Sequence, residues 1–256
     1  MAGRLKNPMN RNREVEQFNE ISQSYGSFVE QDPVRNRLHY PAVISELGDK
    51  AKGKKVLDIG CGNGALDRLL AKTCEAEVVG YDAAPDSIAL AAEREKVDNL
   101  GISYIAASHE EFKWPEPFDE AVSVMVLPYA KDPKDLEKFF KSAFDNLKSG
   151  GRFISVVFSP EFKNFGEVVA NRKFVELPEH KVQVQFLDPK SAEMQFSADL
   201  TQFSEAEYTQ AFSGAGFETA KWKTLYPNAS GKEALGNEFW EKAEETQPYG
   251  LLVVEK

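Results

Sequence analysis

Beyond residue 54, the chain alternates between short apolar runs of strand length and stretches of helical length. The apolar runs predict strands at residues 55–59, 77–81, 102–106, 119–127 and 152–158. The stretches between them predict helices at residues 64–73, 85–97 and 133–147, the last one ended by Gly150-Gly151. Strands that alternate with helices pair in parallel through right-handed crossovers, and nearly continuous apolar strands indicate a sheet covered on both faces. The pattern therefore predicts a doubly wound α/β fold.

The alternation is interrupted between residues 160 and 202. Residues 182–187 and 193–197 alternate between apolar and polar side chains, with a turn sequence at 188–190, which predicts an inserted β-hairpin. The strand and helix pattern resumes at Ser204-Glu-Ala-Glu207, a capping box. Two more strands are predicted at 217–226 and 249–255, so the mostly parallel sheet has seven strands.

The first 50 residues are predicted to form capping helices. Asp32-Pro33 is a typical helix start, because aspartate accepts free amide protons and proline fits the first turn. This helix is predicted to end at Gly48. The predicted organisation is a helical cap at residues 1–50 and an α/β domain at residues 51–256, which carries the insertion at about 160–202.

Composition limits the partners and the location that we expect. The net charge of −10 argues against a nucleic-acid partner, because phosphate neutralisation needs basic residues. No apolar stretch approaches the roughly 20 residues of a membrane helix, and the N-terminus lacks the apolar segment of a signal peptide. Histidines 39, 109 and 180 are far apart, without metal-ligand spacing. We therefore expect a cytoplasmic monomer or homodimer, with no membrane contact and no metal, that acts on a small molecule.

A glycine-rich loop follows the first predicted strand. Val56-Leu-Asp58-Ile-Gly60-Cys-Gly62-Asn-Gly64 joins that strand to a helix, and the next strand ends in Asp82. Glycines let the backbone approach a ligand closely, and the helix start offers free amide groups. A carboxylate at the tip of the second strand is well placed to accept the hydroxyl groups of a ribose. Together these features predict a nucleoside pocket at this edge of the sheet.

The loop spacing distinguishes between two nucleotide families. A dinucleotide fold has Gly-x-Gly-x-x-Gly, whereas this chain has glycines at 60, 62 and 64 and alanine at 65. The pattern Asp58-x-Gly60-x-Gly62-x-Gly64 resembles motif I of class I S-adenosylmethionine-dependent methyltransferases. This resemblance extends over about residues 56–159. It implies a Rossmann-like methyltransferase fold, S-adenosylmethionine as cofactor and S-adenosylhomocysteine as product.

The resemblance also implies roles for individual residues. The glycine loop with Cys61 would hold the methionine part of the cofactor, Asp58 would order the loop and the ammonium group, and Asp82 would bind the ribose. Ala83, Ser108 and His109 would lie beside the adenine, with Ser108 in place of the aspartate that is frequent in the family. Val124 and Met125 would contact the methionine part, although core packing explains Met125 and the adjacent Val126 equally well.

The acceptor side is implied by the N-terminal region and by the fourth strand. Residues 18–28 resemble the capping helix of small-molecule methyltransferases, in which Tyr25 would close over the cofactor carboxylate. Residues 32–41 resemble toxoflavin-synthase-like methyltransferases. Tyr129 and Tyr40 are candidates for substrate contact, and His39 is the candidate general base.

The function implied is methyl transfer to a nitrogen or oxygen atom of a small molecule. Three alternatives stay open at this point. The chain could bind the cofactor without methylating, as a cyclase does, or it could be a silent binding module. An NAD-dependent oxidoreductase is disfavoured by the glycine spacing.

Overall fold

The protein is described by a computed structural model that covers residues 31–188 and 191–256. The strands are β1 (Lys55–Ile59), β2 (Glu77–Asp82), β3 (Ser103–Ala106), β4 (Phe118–Val124), β5 (Leu147–Phe158), β6 (Val168–Val169), β7 (Arg172–Glu176), β8 (Lys181–Leu187), β9 (Met194–Thr201), β10 (Thr219–Thr224) and β11 (Tyr249–Glu255). The helices are α1 (Tyr40–Leu47), α2 (Ala65–Cys74), α3 (Pro85–Asp98), α4 (Pro133–Asn146), α5 (Glu205–Ala215) and α6 (Ala229–Thr246). A π-helical turn at Arg35–His39 leads into α1. None of the described helices is both long and apolar enough to cross a membrane.

Seven strands form the main sheet in the order β10-β11-β5-β4-β1-β2-β3. Pairing is parallel from β5 to β3, and β11 pairs antiparallel with both β5 and β10. The predicted doubly wound, mostly parallel, seven-stranded α/β sheet is confirmed. The chain builds outwards from β1 in both directions, so the sheet has a switch point beside β1, which is where such sheets bind ligands.

Each face of the sheet is covered by a hydrophobic core, which explains why its strands are apolar without alternation. Val56 of β1 belongs to one core and the neighbouring Leu57 to the other. Leu66 and Leu70 of α2 cover the first face together with α1. Phe140 of α4 and Tyr208 of α5 cover the second. Burial on both faces fixes the plane of the sheet and therefore the position of its strand ends.

Helix boundaries follow the local signals in the sequence. The Asp32 carboxylate accepts a hydrogen bond from the Val34 amide at 3.2 Å, and α1 ends at Gly48, as predicted. The capping box of Ser204 and Glu207 is formed in full. The predicted role of Gly150-Gly151 was wrong, because α4 already ends at Asn146. These glycines lie instead in an irregularity of β5, where the pairing with β4 shifts register.

The insertion is larger than the predicted hairpin. The hairpin is present as β8 and β9, but the chain adds β6 and β7 and completes a four-stranded antiparallel sheet. β6 has two residues, too few to give a periodic signal. One face of this second sheet is apolar and carries Phe174, Val184 and Phe186, which join the core on the side of α1.

A buried ion pair joins the second sheet to the start of the cap helix. Arg172 of β7 donates a hydrogen bond to the Asp32 carboxylate, and the two side chains are 2% and 0% exposed. The same guanidinium donates to the Asn171 side chain at 3.0 Å and lies over the Phe186 ring. Two fully buried charges depend on each other, because an unpaired charge at this depth is costly.

We expect Arg172→Met to lower the free energy of unfolding by about 3–5 kcal/mol, because buried Asp32 loses its hydrogen-bonded partner and keeps only the Arg35 guanidinium, 3.7 Å away. Adding Asp32→Asn should recover part of the loss, since asparagine still caps the helix without a charge. Urea denaturation measures both variants, and Lys173→Met on the same strand serves as the control. Equal losses in the single and double variants would show that the ion pair is not the cause.

Candidate functional site

A cavity of about 640 Å³ lies at the carboxyl ends of β1, β2, β3 and β4. It is at the predicted switch point of the sheet. The lining includes Ile59 and Asp82 at two strand ends, and Ala106 and Val124 at the other two. The sheet thus brings Asp58 and Val126, which are 68 positions apart in the sequence, to the same cavity.

The glycine loop that borders the cavity is held by its own backbone. The amides of Gly60 and Cys61 donate to the Tyr81 carbonyl at 2.8 and 3.0 Å, and the Gly64 amide donates to the Cys61 carbonyl at 3.0 Å. The Gly62 amide donates to the Asp82 carboxylate at 2.9 Å. The expectation that these amide groups face a ligand was therefore wrong, because four of the five loop amides are already engaged within the chain.

Two of the loop glycines are required by close contacts. A Cβ at Gly60 would lie 2.5 Å from a Val126 methyl group, and one at Gly64 would lie 2.2 Å from the Tyr104 hydroxyl. Gly62 also has a positive φ, of 54°, but a Cβ there would meet nothing within 4 Å. The open space at Gly62 borders the cavity, so the backbone can approach a ligand at that position.

Asp82 links the two loops at the floor of the cavity. One carboxylate oxygen accepts the Gly62 amide, and the other accepts the Ala84 amide at 2.8 Å. Burial raises the pKa of Asp82, while these two amide hydrogen bonds lower it. Each carboxylate oxygen can accept a further hydrogen bond, so Asp82 can still receive two hydroxyl groups.

A group of acids lies beneath the loop, on the side of α2. Burial raises the pKa of Asp58 well above its usual value, and the Asp67 carboxyl beside it raises it further. Burial raises the pKa of Asp67 to about 6, against the lowering effect of contacts with Asp58, Arg68 and Tyr104. The Cys61 thiol lies against these acids, and burial followed by their negative charge raises its pKa. Cys61 is therefore a neutral thiol.

The ends of β3 and β4 close the two sides of the cavity. Ser108 donates its hydroxyl proton to Glu111 at 2.8 Å, and both residues line the cavity. The His109 ring stacks on Phe139 with centroids 3.9 Å apart. At the opposite side, Met125 has a positive φ of 59° while its amide donates to the Val156 carbonyl at 2.8 Å. A left-handed non-glycine residue of this kind is frequent at functional sites.

The cap supplies two side chains to the cavity, Arg35 and Tyr40. Tyr129, from the turn after β4, lines it as well. Arg35 also approaches Asp32, with 3.7 Å between guanidinium and carboxylate. Two tyrosines and one arginine therefore form part of the cavity wall.

His39 does not line the cavity. Its ring is 2% exposed and packs edge-on against Tyr249, with centroids 4.4 Å apart. Burial lowers its pKa well below the usual value, and Arg172 and Arg35 lower it further. The geometry therefore gives no support to His39 as the general base, because a base must reach the proton that it removes.

Most of the other predicted site residues do line the cavity. They are Asp58, Gly60, Cys61, Gly62, Asp82, Ala83, Ser108, His109, Val124, Met125, Tyr129 and Tyr40. Gly64 does not line the cavity and lies against the Tyr104 ring instead. Tyr25 lies outside the described residues. Sequence reasoning missed Arg35, Glu111 and Asp67. Their types are common on helices and loops, so no spacing in the sequence distinguishes them. Among the described residues, no group of three or more possible ligands could hold a metal ion.

Comparison with known proteins agrees with this geometry. A family model described as a methyltransferase domain matches residues 56–151, the part that contains the loop, Asp82 and the end of β4. The part of the chain that builds the cavity is therefore similar to methyltransferase domains.

Curated relatives match the methyltransferase domain and part of its surroundings. A mitochondrial ubiquinone biosynthesis O-methyltransferase of Schizosaccharomyces pombe is 31% identical over 149 residues, covering 55% of this chain and 53% of the relative. A ubiquinone biosynthesis O-methyltransferase from Pelagibacter ubique is 26% identical over 175 residues, covering 64% of this chain and 71% of the relative. The chain thus spans about half the length of the fission-yeast relative.

Solved structures share the fold of the methyltransferase domain over almost the whole chain. An S-adenosylmethionine-dependent methyltransferase from Clostridium acetobutylicum has a TM-score of 0.63 at 15% identity, covering 93% of this chain and 98% of that one. Another, from Mesorhizobium loti, has a TM-score of 0.59 at 20% identity, covering 84% and 96%. At these identities the likeness concerns the fold.

We expect Gly64→Ala to destabilise the free protein more than Gly62→Ala. Both substitutions carry the cost of about 1–2 kcal/mol for a side chain in left-handed backbone. Only alanine at 64 also collides with the Tyr104 hydroxyl, which adds about 1–3 kcal/mol. Urea denaturation measures the difference. Tyr104→Phe should relieve part of the Gly64→Ala loss, and no relief would contradict this contact.

Proposed function

We propose that the protein transfers the methyl group of S-adenosylmethionine to an oxygen or nitrogen atom of a small molecule. The observation that carries the proposal is a glycine loop whose amides already donate hydrogen bonds within the chain, next to a carboxylate at the tip of β2. The names of the curated relatives support oxygen as the acceptor atom. Because the chain spans only part of those relatives, this extension is a proposal.

The residues fit a cationic nucleoside better than a dinucleotide. A pyrophosphate needs free amide groups or cations at the loop, but the amides of Gly60, Cys61, Gly62 and Gly64 are engaged. Acids outnumber bases in the lining: Asp58, Asp82, Glu110, Glu111 and Asp135 against Arg35, Lys131 and Lys138. This balance favours the positively charged sulfonium and ammonium groups of S-adenosylmethionine.

Individual residues would hold the three parts of the cofactor. Asp82 would accept the ribose hydroxyls with the acceptor capacity that remains on its two oxygens. Gly60 and Gly62 would let the methionine part lie against the loop, with Asp58 on the side of its ammonium group. Glu111, which is tied to Ser108, supplies a carboxylate at the adenine end, where the sequence shows only serine.

The chain's contribution to the reaction is alignment and exclusion of water. When bound, the cofactor supplies an electrophilic methyl carbon, which an acceptor lone pair displaces in line. Tyr129, Tyr40 and Arg35 surround the space beside Met125, so the acceptor would lie there. His109 follows β3, and its ring stacks on Phe139 of α4 with centroids 3.9 Å apart. We assign neither His109 nor His39 a role as general base.

The partner is proposed to be a small molecule rather than a nucleic acid, since the chain carries a net charge of −10. We also propose a cytoplasmic location and a monomer or homodimer. The prediction that Tyr25 closes over the cofactor carboxylate concerns a residue outside the described ranges.

We expect Asp82→Asn to raise the dissociation constant for S-adenosylhomocysteine by about 10–100-fold, because it removes a buried charge-assisted acceptor. Isothermal titration calorimetry measures the constant. Asp86→Asn is the matched control, since Asp86 is exposed on the first turn of α3, four residues further on. An unchanged constant for Asp82→Asn would refute the ribose assignment, and binding of NAD in its place would refute the proposed function.

We expect Tyr129→Ala to raise the KM for a phenolic acceptor by about tenfold, because an aromatic wall of the acceptor space is lost. The assay follows transfer of a labelled methyl group to a panel of phenols and amines. Tyr226→Ala is the control, because Tyr226 is 62% exposed and lies outside the cavity. Equal effects of the two substitutions would place the acceptor elsewhere.

A further inference from the structure

Beneath the glycine loop, three strands place one row of residues side by side. Asp58 of β1 pairs with Gly80 of β2, and Gly80 pairs with Tyr104 of β3. Residues paired in this way point to the same face of a parallel sheet. Because Gly80 has no side chain, the row has a gap between the aspartate and the tyrosine.

Helix α2 fills this gap with the carboxyl group of Asp67. A Cβ at Gly80 would lie 2.6 Å from an Asp67 oxygen and 2.8 Å from the Cys61 sulfur. Asp67 is 0% exposed, on the first turn of the helix that follows the glycine loop. Its carboxyl group thus lies between Asp58 and Tyr104 and directly under the loop.

The Asp67 carboxyl has no conventional donor. Neither of its oxygens, nor the buried hydroxyl of Tyr104, forms a hydrogen bond of ordinary geometry with any residue in 31–188 or 191–256. Asp58 beside it is 2% exposed and borders the cavity. Two carboxyl groups buried side by side cannot both be ionised at low cost, so they hold a proton between them.

We propose that Asp67 is a positioning residue of the cofactor site, which shares one proton with Asp58 and releases it when the ammonium group of the cofactor arrives. This inference rests on the proposed function. The proton that holds the two carboxyl groups together also fixes the Asp58 side chain under Gly60 and Gly62. The incoming ammonium group replaces the charge of that proton, which leaves to solvent.

The charged and titratable neighbours on the adjoining elements act on the shared proton in both directions, some favouring its retention and some its loss. Asp82 of β2 and Cys61 of the loop lie near the pair, and the negative charge of Asp82 favours proton retention. Arg68 of α2 and Tyr104 of β3 oppose it. Burial is the largest contribution to the raised pKa of both Asp58 and Asp67.

The sign of the pH dependence follows from this exchange. The free protein holds the proton and the complex does not, so binding weakens as pH falls and the pair takes up more protons. With the pKa of Asp67 at about 6, affinity should rise with pH up to about 6 and level off above it, so proton release on binding is expected below about pH 6. The slope can reach about tenfold per pH unit for one released proton.

The test is calorimetric titration with S-adenosylhomocysteine in two buffers of different ionisation enthalpy, which counts the protons released. We expect release from the unmodified protein. 5′-Methylthioadenosine, which has the same nucleoside without the amino acid, should release none. Asp67→Asn should abolish the release and flatten the pH profile of affinity, because an amide donates to Asp58 without a titrating proton.

A second variant keeps the test independent of folding problems in the first. Tyr104→Phe preserves the ring but removes the hydroxyl that favours ionised Asp67, so the pH profile should move to higher pH rather than flatten. Asp145→Asn, an exposed aspartate on α4, should leave release unchanged.

The outcomes separate the two proposals. Equal proton release by the unmodified protein and Asp67→Asn, or release with 5′-methylthioadenosine, overturns the shared proton while the proposed function stands. No binding of S-adenosylhomocysteine at all overturns both.

Discussion

The hydrogen bond from the Gly62 amide to the Asp82 carboxylate is the contact on which the site depends. It joins the loop after β1 to the tip of β2, two strands that the sheet already holds in parallel register. The Tyr81 carbonyl, one residue earlier, accepts the amides of Gly60 and Cys61. Both sides of the cofactor pocket are therefore fixed before a ligand arrives, which lowers the entropic cost of binding.

The hydrogen bonds that the loop amides make within the chain also explain which kind of ligand the pocket suits. A loop with free amide groups attracts phosphate, but the amides of this loop donate to backbone carbonyls and to a carboxylate of the chain itself. What remains exposed is the glycine backbone and a set of acids, which suits a sulfonium nucleoside. Free amides in a glycine-rich loop thus favour a ligand with phosphate groups, whereas engaged amides beside acids favour a sulfonium nucleoside.

A buried ion pair ties the insertion to the cap. Arg172 of the inserted sheet pairs with Asp32, three residues before Arg35 of the cavity wall. Packing of Phe158 and Phe174 around Tyr249 connects the same insertion to the main sheet. The insertion thus holds the start of the cap, which supplies Arg35 and Tyr40 to the cavity wall.

By itself, the sequence determined the local features: strands and helices from apolar spacing, caps at Asp32 and Ser204, and the loop and Asp82 from their pattern. These depend on near neighbours in the chain, whose spacing is visible. The tertiary structure alone decided that His39 packs against Tyr249 instead of lining the cavity, that two extra strands complete the insertion, and that Asp67 reaches Asp58 across Gly80. Each of these depends on which residues meet from distant segments, because burial and pairing are properties of the packed chain and not of its local pattern.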